Sequence, residues 1–359
     1  MKMKTVVIAA ALAASTLPAF AADKLKLSEV LAASDVTISG RVDAGYDYAN
    51  TQDGSGPLGA AFNTDSNSFV LHQAALNIVR APAEGVGGAV TVLLGEDAKV
   101  LNAAAADSFD IGNQFNLLQG YVSYAHGPIT VIGGRFLTLA GAEVIDSSAN
   151  FNATRGILFN VQPLSHTGVR GSYKVNDTLS FTGGLVNSIG IGNQDRFTGN
   201  GKTKTVELNG VLTTGPLTNA LTVYVGDEGA NKDSGRTILV DTVSTYALSP
   251  ATTFVLNADY LAVEQTKNDT ADLFGFALYG NQKLGKACRV AARAEYVHNN
   301  QGNFGRNLSA YTLTYGHTVA EGLEVMAEAR LDDSAGDKFY ASADRNTQII
   351  GTVKAVYKF

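Results

Sequence analysis

The feature that most constrains this chain is a two-residue alternation of apolar and polar side chains that recurs along its length. The first alternating segment runs from Val36 to Tyr48, with Val36, Ile38 and Val42 on one face and Arg41, Asp43 and Asp47 on the other. Successive side chains of a β-strand point to opposite faces, so this pattern predicts a strand between an apolar and an aqueous phase. The same alternation predicts further strands at 68–80, 86–95, 114–126, 128–136, 166–174, 178–188, 204–213, 217–226, 236–247, 250–263, 271–284, 287–298, 307–317, 322–332 and 346–358.

The connections between these segments alternate in length. Short connections with Gly, Pro, Asn and Asp, the residues of tight turns, lie near 81–85, 127, 176–177, 215–216, 249–250, 285–286 and 319–321. Long connections lie at about 50–67, 96–113, 137–165, 189–203, 227–235, 264–270, 299–306 and 333–345. Short turns at one end and long loops at the other are typical of outer-membrane barrels. The sequence predicts an all-β fold, a transmembrane antiparallel up-and-down β-barrel of about 16 strands with both termini at the short-turn end.

The longest connection lies between the strand that ends at Phe136 and the strand that begins at His166. It runs for about thirty residues without sustained alternation, and a structureless loop of that length inside a compact domain is usually functional. We predict that this third long loop folds into the lumen and narrows it. An extra strand at 155–161 is the alternative for part of this stretch.

Tyrosines indicate where the two membrane interfaces lie. Tyr124, Tyr173, Tyr246, Tyr315 and Tyr357 fall near the short-turn end, and Tyr46, Tyr48, Tyr260 and Tyr296 near the long-loop end, in outward positions. Two rings of amphipathic aromatic side chains are expected where a barrel meets the membrane surfaces. The chain ends on Phe359, also in outward parity, which indicates recognition by the outer-membrane assembly machinery.

The N-terminal residues have the pattern of an export signal. Lys2 and Lys4 precede an apolar run that ends near Pro18, and Ala19-Phe20-Ala21 is an A-x-A cleavage site. We expect residues 1–21 to be a cleaved signal peptide and 22–35 a short periplasmic segment, with a small plug as the alternative for the latter. The barrel then occupies 36–359 in the bacterial outer membrane.

Composition and spacing exclude several classes of function. The chain carries 27 Lys and Arg against 33 Asp and Glu, without a basic patch, so nucleic acid is not an expected partner. The single Cys288 excludes an internal disulfide framework and a multi-cysteine metal site. The histidines lack ligand spacing, and His166 is more simply a locally hydrogen-bonded side chain than a proton sensor or ligand. We therefore predict no metal, no cofactor, no catalytic residues and no enzymatic activity.

Four motifs follow one another around the longest connection. They are Gly134-Arg135-Phe136, Gly141-Ala142-Glu143, Asn152-Ala-Thr-Arg155-Gly-Ile-Leu-Phe159 and Pro163-Leu-Ser-His166-Thr-Gly-Val-Arg170. In these motifs the chain resembles the OmpL-like outer-membrane β-barrel porins and, more loosely, the general diffusion porins of Gram-negative bacteria. The resemblance implies passive diffusion of small hydrophilic solutes and ions, a surrounding of outer-membrane lipid and lipopolysaccharide, and by analogy it allows a homotrimer.

The resemblance also suggests how the pore is charged, because general porins place carboxylates on the inserted loop and basic residues on the wall opposite. A lumen that passes ions needs fixed charges where it is narrowest. We hypothesise a constriction in which loop carboxylates face wall arginines, made of Arg41, Arg135, Glu143, Asp146, Arg155 and Arg170. Further lumen charges are expected from Arg289, Arg293 and Arg330. The equally weighted alternative is that Arg135, Arg155 and Arg170 pin the loop to the wall through ion pairs with the same carboxylates.

The expected function is that of a porin, a water-filled channel for small hydrophilic solutes and ions. The rival hypothesis is a structural or adhesive outer-membrane barrel whose lumen is closed and whose extracellular loops bind a partner. The discriminator between these two hypotheses is whether the third long loop turns inward, which its length and charge pattern favour.

Overall fold

A computed structural model describes residues 31, 33–51, 56–104, 114–190, 204–227, 236–266, 269–299, 307–335 and 346–359. Residues 1–21, expected to form the signal peptide, and most of 22–35 lie outside these ranges. The strands are β1 Val36–Ala49, β2 Asn67–Arg80, β3 Gly85–Leu94, β4 Phe115–His126, β5 Ile129–Leu137, β6 Ser165–Lys174, β7 Leu179–Val186, β8 Thr205–Thr214, β9 Leu217–Asp227, β10 Arg236–Ser249, β11 Thr252–Thr266, β12 Asp269–Lys283, β13 Cys288–Asn299, β14 Asn307–Ala320, β15 Leu323–Ser334 and β16 Thr347–Lys358.

These strands form one closed barrel in which each strand pairs with its sequence neighbours. All pairs are antiparallel, and β1 closes the barrel against β16, for example through Ala44 opposite Ala355. The predicted fold and the count of sixteen strands are confirmed. The bounds differ from the prediction by a few residues at several ends.

One short helix and two 3-10 helices lie in the described connections. Helix α1, Glu96–Ala104, follows β3. The 3-10 helices are Ser147–Ala149 and Leu158–Val161, both between β5 and β6. The second of these replaces the extra strand considered for 155–161. No helix among the described residues is long and apolar enough to cross a membrane.

The two faces of the barrel wall differ as the alternation predicts. Outward positions carry exposed apolar side chains, such as Phe69, Leu71 and Val122. Inward positions carry buried polar groups, such as Asp43 and Thr91. The outward tyrosines of the predicted interface rings are exposed or half-buried. An exposed apolar belt on a closed barrel is the surface that lipid covers.

A β-bulge in β2 changes which side chains face inward. The register against β1 shifts between Asp43 and Ala44, and both His72 and Gln73 are buried. A bulge inserts one extra residue into a strand, so two successive side chains can share a face. Simple alternation cannot locate such a position.

Connecting segments pack apolar side chains against those of the barrel wall. Ile157, Leu158 and Val161 join a buried cluster that includes Leu239 and Val297 of the wall. A second cluster joins Phe62, Leu101 and Phe159 from three different connections to Leu93 and Leu118 of β3 and β4. These clusters hold the connections at the long-loop end of the barrel.

Candidate functional site

The site is built around residues 138–164, here called the long loop, which connect β5 to β6. Its ends meet where Thr138 N donates to Leu164 O at 3.2 Å. Its first residues bind β9: Leu139 N donates to Tyr224 Oη at 3.0 Å, and Thr222 Oγ1 donates to Leu139 O at 3.1 Å. The loop therefore turns away from β5 and β6 at its first residues and lies against β9, which is four strands along the sheet from β5.

Polar side chains of β11 hold the two legs of the loop together. Asn257 Oδ1 accepts from Ala142 N at 3.0 Å and from Gln162 Nε2 at 2.9 Å. Gln162 Nε2 also donates to Asp259 Oδ2 at 2.7 Å. The side-chain amide of Asn257 thus holds the segment that leaves β5 next to the segment that returns to β6.

The centre of the loop is bound through its peptide N–H groups by carboxylates of β13 and β15. Glu328 accepts from Ala153 N at 2.6 Å and from Thr154 N at 3.0 Å, and Glu295 accepts from Leu158 N at 3.2 Å. Buried peptide groups must find partners, and hydrogen bonds to a charged acceptor are the stronger kind. These carboxylates satisfy donors that the irregular loop cannot satisfy itself.

Arginines of the same two strands bind the carbonyl groups of the same stretch. Arg293 Nη1 donates to Thr154 O at 2.8 Å, and Arg330 Nη1 donates to Arg155 O at 2.7 Å. Arg289 Nη1 donates to Phe151 O. We call the charged side chains of β13 and β15 that bind the loop backbone the clamp; its members are Arg289, Arg293, Glu295, Glu328 and Arg330.

Glu143 joins the loop to the clamp. Its Oε1 accepts from Arg293 Nη1 at 2.6 Å and its Oε2 from Gly156 N at 2.7 Å. Arg293 Nε also lies 2.8 Å from Glu295 Oε2. Burial raises the pKa of the Glu143 carboxyl, while Arg293 opposes that shift. The pair is buried, so its charges are turned away from water.

Arg155 ties one half of the loop to the other. Its Nε donates to Val144 O at 2.9 Å and its Nη2 to Ile145 O at 2.7 Å. Its guanidinium lies 5.4 Å from the centre of the Phe62 ring. Arg155 therefore joins two segments of the loop through main-chain carbonyls, and the hypothesis that it pins the loop to the wall stays a prediction.

Asp146 is the most water-exposed charge of the described loop, with 37% of its side chain accessible. Its Oδ2 accepts from Arg41 Nη1 at 3.0 Å, and Arg41 Nε donates to Gln73 Oε1 at 2.6 Å. Gln73 Nε2 donates both to Ile145 O and to Asp97 Oδ2 at 2.6 Å. The bulge in β2 thus links the loop edge to helix α1.

Arg170 pairs with the wall rather than with the loop carboxylates. Its Nε and Nη2 donate to the two carboxylate oxygens of Glu207 at 2.7 and 2.9 Å, and Nη1 donates to Leu137 O at 3.0 Å. The guanidinium also lies 4.2 Å from the centre of the Phe136 ring. A bidentate pair of this kind is satisfied within the wall.

The sequence predicts that Arg135 faces inward, like Arg170. The strand register instead places the two arginines on opposite faces of the sheet. Register pairs Arg135 with Gly120 and Thr167, the parity of exposed Val169, whereas Arg170 pairs with Ile132. The side chain is buried, and Nη2 donates to Ser165 Oγ at 3.1 Å. Val131 and Ile132 are both apolar, so alternation alone could not fix the face in β5.

The structure therefore distributes the nine predicted charges over four arrangements. Arg41 with Asp146 lies at the loop edge, and Arg155 with Glu143 lies inside the loop. Arg289, Arg293 and Arg330, expected only as further lumen charges, belong to the clamp. Arg135 and Arg170 bind neighbouring wall groups. Their role in a constriction stays a prediction.

Several residues that hold the loop had no signal in the sequence beyond their inward parity. Alternation places Glu295 and Glu328 inside, but not against a loop backbone. Asn257, Gln73 and Asp97 have no distinguishing pattern at all. His166 is buried, lies 3.1 Å from Ser188 O through Nδ1 and stacks on Tyr224, which agrees with a local hydrogen-bonding role. The described residues contain no group of three or more His, Cys, Asp or Glu placed to hold a metal ion.

A closed sixteen-stranded antiparallel barrel with an exposed apolar belt and a loop bound to inward charges belongs to the class of large outer-membrane β-barrels. Within that class, the chain belongs to the family described as "Putative beta-barrel porin-2, OmpL-like", which matches residues 35–359. No curated protein sequence matches it.

Solved structures share this fold at low sequence identity. An anion-selective porin from Comamonas acidovorans has a TM-score of 0.65 at 12% identity, covering 90% of this chain and 99% of that chain. The outer-membrane channel DcaP of Acinetobacter baumannii has a TM-score of 0.63 at 14% identity, and the match covers 90% of this chain and 97% of that chain. A loop-deletion mutant of OmpT, an outer-membrane protein of Vibrio cholerae, has a TM-score of 0.60 at 13% identity, and the match covers 90% of this chain and 99% of that chain.

Proposed function

We propose that the chain forms a water-filled outer-membrane channel for passive diffusion of small hydrophilic solutes and ions, and that the long loop narrows it from within. The observation that carries this proposal is the reach of the loop. Residues 138–164 bind inward side chains of β1, β9, β11, β13, β14 and β15. A segment that bonds to so many parts of a closed wall is best accounted for by a path through the lumen.

The edge of the loop that faces water supports a passage beside it. Val144, Asp146, Ser148 and Ala149 are exposed or half-buried, whereas 152–159 are buried against the clamp. A barrel of this size leaves an aqueous channel unless something fills it. We assign the constriction to this edge, with Asp146 and Arg41 as its charged pair, while Glu143, Arg155 and the clamp hold it in position.

The family and the exposed apolar belt support a location in the bacterial outer membrane, among lipid and lipopolysaccharide. We further propose that export uses residues 1–21 as a cleaved signal and that 22–35 form a short periplasmic lead-in. A homotrimer is the assembly we propose, by analogy with the trimer form of OmpT, an outer-membrane protein of Vibrio cholerae.

A closed structural or adhesive barrel is the second candidate, and one observation favours it. The inward arginines of the wall are nearly covered; Arg41 is 3%, Arg293 2% and Arg330 1% exposed. Apolar clusters also join three connections to the wall. If these clusters extend across the lumen, no solute or ion would pass, and the barrel would serve to display its extracellular loops to a partner.

Single-channel current in a planar bilayer tests both candidates when two forms of the protein are compared. In the first, the chain is intact; in the second, residues 141–160 are replaced by a short Gly-Ser linker. We expect stable steps from the intact protein and larger steps after excision. A matched control shortens 228–235, which we expect to leave conductance unchanged.

The outcomes separate the hypotheses. Equal conductance of intact and excised protein would contradict a narrowing loop. Conductance only after excision would show that the loop closes the lumen, in favour of the structural or adhesive barrel. No conductance from either form, in protein that shows the heat-dependent gel shift of a folded barrel, would contradict the channel itself.

A further inference from the structure

The inward wall has a charged sector and a neutral sector. The charged sector comprises β13, β15, β16 and β1, with Arg293, Glu328, Lys354 and Asp43 among its members. The neutral sector lies on β6–β10, between the Arg170–Glu207 pair and the short-turn end. Among the described residues, two charged side chains face inward there. Lys174 lies at the rim and pairs with Asp177 at 2.7 Å. Asp241 of β10 is fully buried and accepts from Asn257 Nδ2 at 2.6 Å, so it presents no charge to water.

Hydroxyl and amide side chains line the neutral sector and bond to one another across strands. Ser172 Oγ lies 2.9 Å from Thr182 Oγ1, and Thr213 Oγ1 lies 3.2 Å from Thr218 Oγ1. Asn209 Nδ2 donates to Thr222 Oγ1 at 3.0 Å. Valines and alanines fill the positions between them. Most of these polar side chains are half-buried, so water reaches them.

The charges of the other sector do not present a net field to that water. Arg293 and Glu328 are occupied by the loop, and Lys354 Nζ lies 2.9 Å from buried Asp43 Oδ2. Arg289 and Glu324, which are partly exposed, pair with each other at 2.5 Å. Opposite charges in contact act as short dipoles whose field fades within a few ångströms.

Two lysines of inward parity at the short-turn rim, Lys283 and Lys358, form no ion pair among the described residues. Both are exposed to solvent at the mouth. Salt screens such charges over about 8–10 Å at ordinary ionic strength. They therefore add at most a weak preference for anions at the entrance.

We propose that the neutral sector lines the path beside the long loop, where Asp146 is compensated by Arg41 at 3.0 Å, and that the channel is weakly ion-selective and suited to uncharged hydroxylated solutes such as sugars and polyols. This inference rests on the proposed channel function and deepens it. Selectivity for ions requires unpaired charge at the lining, and this wall offers hydrogen-bonding groups instead. Sugar hydroxyls can exchange water for such groups at little cost.

Two measurements on the full-length protein test the inference. Reversal potentials in a salt gradient should give a cation-to-anion permeability ratio within about twofold of one. Swelling of protein-containing liposomes should show glucose entering at least as fast as glucuronate or glucosamine, which share its ring but carry opposite charges. A ratio beyond about fivefold, or faster entry of either charged sugar, overturns the inference while leaving the channel itself intact.

Substitutions at Thr182 test whether the neutral sector is the lining. Thr182→Lys should shift the permeability ratio toward anions, and Thr182→Asp toward cations, each by about threefold or more. Thr214→Lys, on the outward parity at the end of β8, is the matched control and should leave selectivity unchanged. Unchanged selectivity in both Thr182 variants, with normal conductance, would show that the path runs elsewhere and overturn the proposal.

Discussion

Glu328 shows how a single residue inside this barrel can organise a loop. It accepts from two peptide N–H groups of the loop and from the Thr154 hydroxyl, and Thr314 Oγ1 donates to it at 2.6 Å. It is only 7% exposed. A buried carboxylate with four donors is stabilised by them, and the donors would be unsatisfied without it.

The variant Glu328→Gln keeps the shape of this side chain but replaces one acceptor oxygen by an NH2 group. That group would face the peptide N–H of Ala153 or Thr154, so we expect a loss of about 1–3 kcal/mol in the free energy of unfolding. Urea titration in detergent measures the loss. Trypsin cleavage after Arg155, which is buried in the folded protein, should report release of the loop.

The matched control is Glu324→Gln, four residues earlier on the same face of β15. Glu324 pairs with Arg289 and is partly exposed, so we expect an effect below about 1 kcal/mol. Equal loss in the two variants would contradict a specific role of Glu328 in holding the loop.

Gly156 is the second single position on which the loop depends. An added Cβ would overlap Glu295 Oε1, and Glu295 cannot move away without losing its contacts with Arg293 and the Leu158 N–H. We expect Gly156→Ala to lower the free energy of unfolding by about 1–3 kcal/mol. Gly171→Ala, where a Cβ meets nothing within 4 Å, should be neutral in the same titration. A neutral Gly156→Ala would mean that the loop tolerates a wider separation from β13.

At the scale of elements, the strands could be predicted because each lies between lipid and polar surroundings, which forces alternation. The loop contacts could not, because a segment without periodicity carries no face assignment. Glu295 shows the limit: its parity placed it inside, but its bond to Leu158 N depends on the fold of residues 137 places earlier in the chain. The bulge in β2 could not be predicted for a related reason. His72 and Gln73 are consecutive residues that are both buried, and a two-residue alternation cannot place both on one face.

Helix α1 is attached to the wall chiefly through Asp97. Its carboxylate accepts from Gln73 Nε2 at 2.6 Å and lies 3.2 Å from His72 Nδ1, and it stands in the first turn, where negative charge favours the helix. We expect Asp97→Asn to lower the free energy of unfolding by about 1–2 kcal/mol. We also expect it to speed trypsin cleavage after Lys99, because the helix, and not burial of the lysine side chain, protects the peptide bond there. Glu96→Gln, next to it but paired with exposed Lys99 at 3.0 Å, should cost less than about 1 kcal/mol. Similar trypsin patterns in both variants would place the anchor of α1 elsewhere.

At the scale of the whole molecule, the barrel closes where the last residue meets the first strand. Gly40 N donates to Phe359 O at 2.8 Å, and Phe359 N donates to Gly40 O at 3.0 Å. A Cβ on Gly40 would overlap the Phe359 ring, so the ring packs directly against Gly40 at the seam. Much of this residue is nevertheless exposed, with 61% of its surface accessible.

This geometry separates two roles for Phe359. The main-chain bonds of the seam survive in Phe359→Ala, so folding from urea into detergent should lose no more than about 1–2 kcal/mol of stability, the cost of the uncovered ring contact. If the terminal aromatic ring is also what the assembly machinery recognises, the same variant should accumulate poorly in the outer membrane of cells. Heat-dependent gel mobility of membrane fractions measures that accumulation, with Lys358→Ala as the neighbouring control. Failure in detergent as well would assign Phe359 to the seam alone, and normal assembly in cells would contradict recognition through this residue.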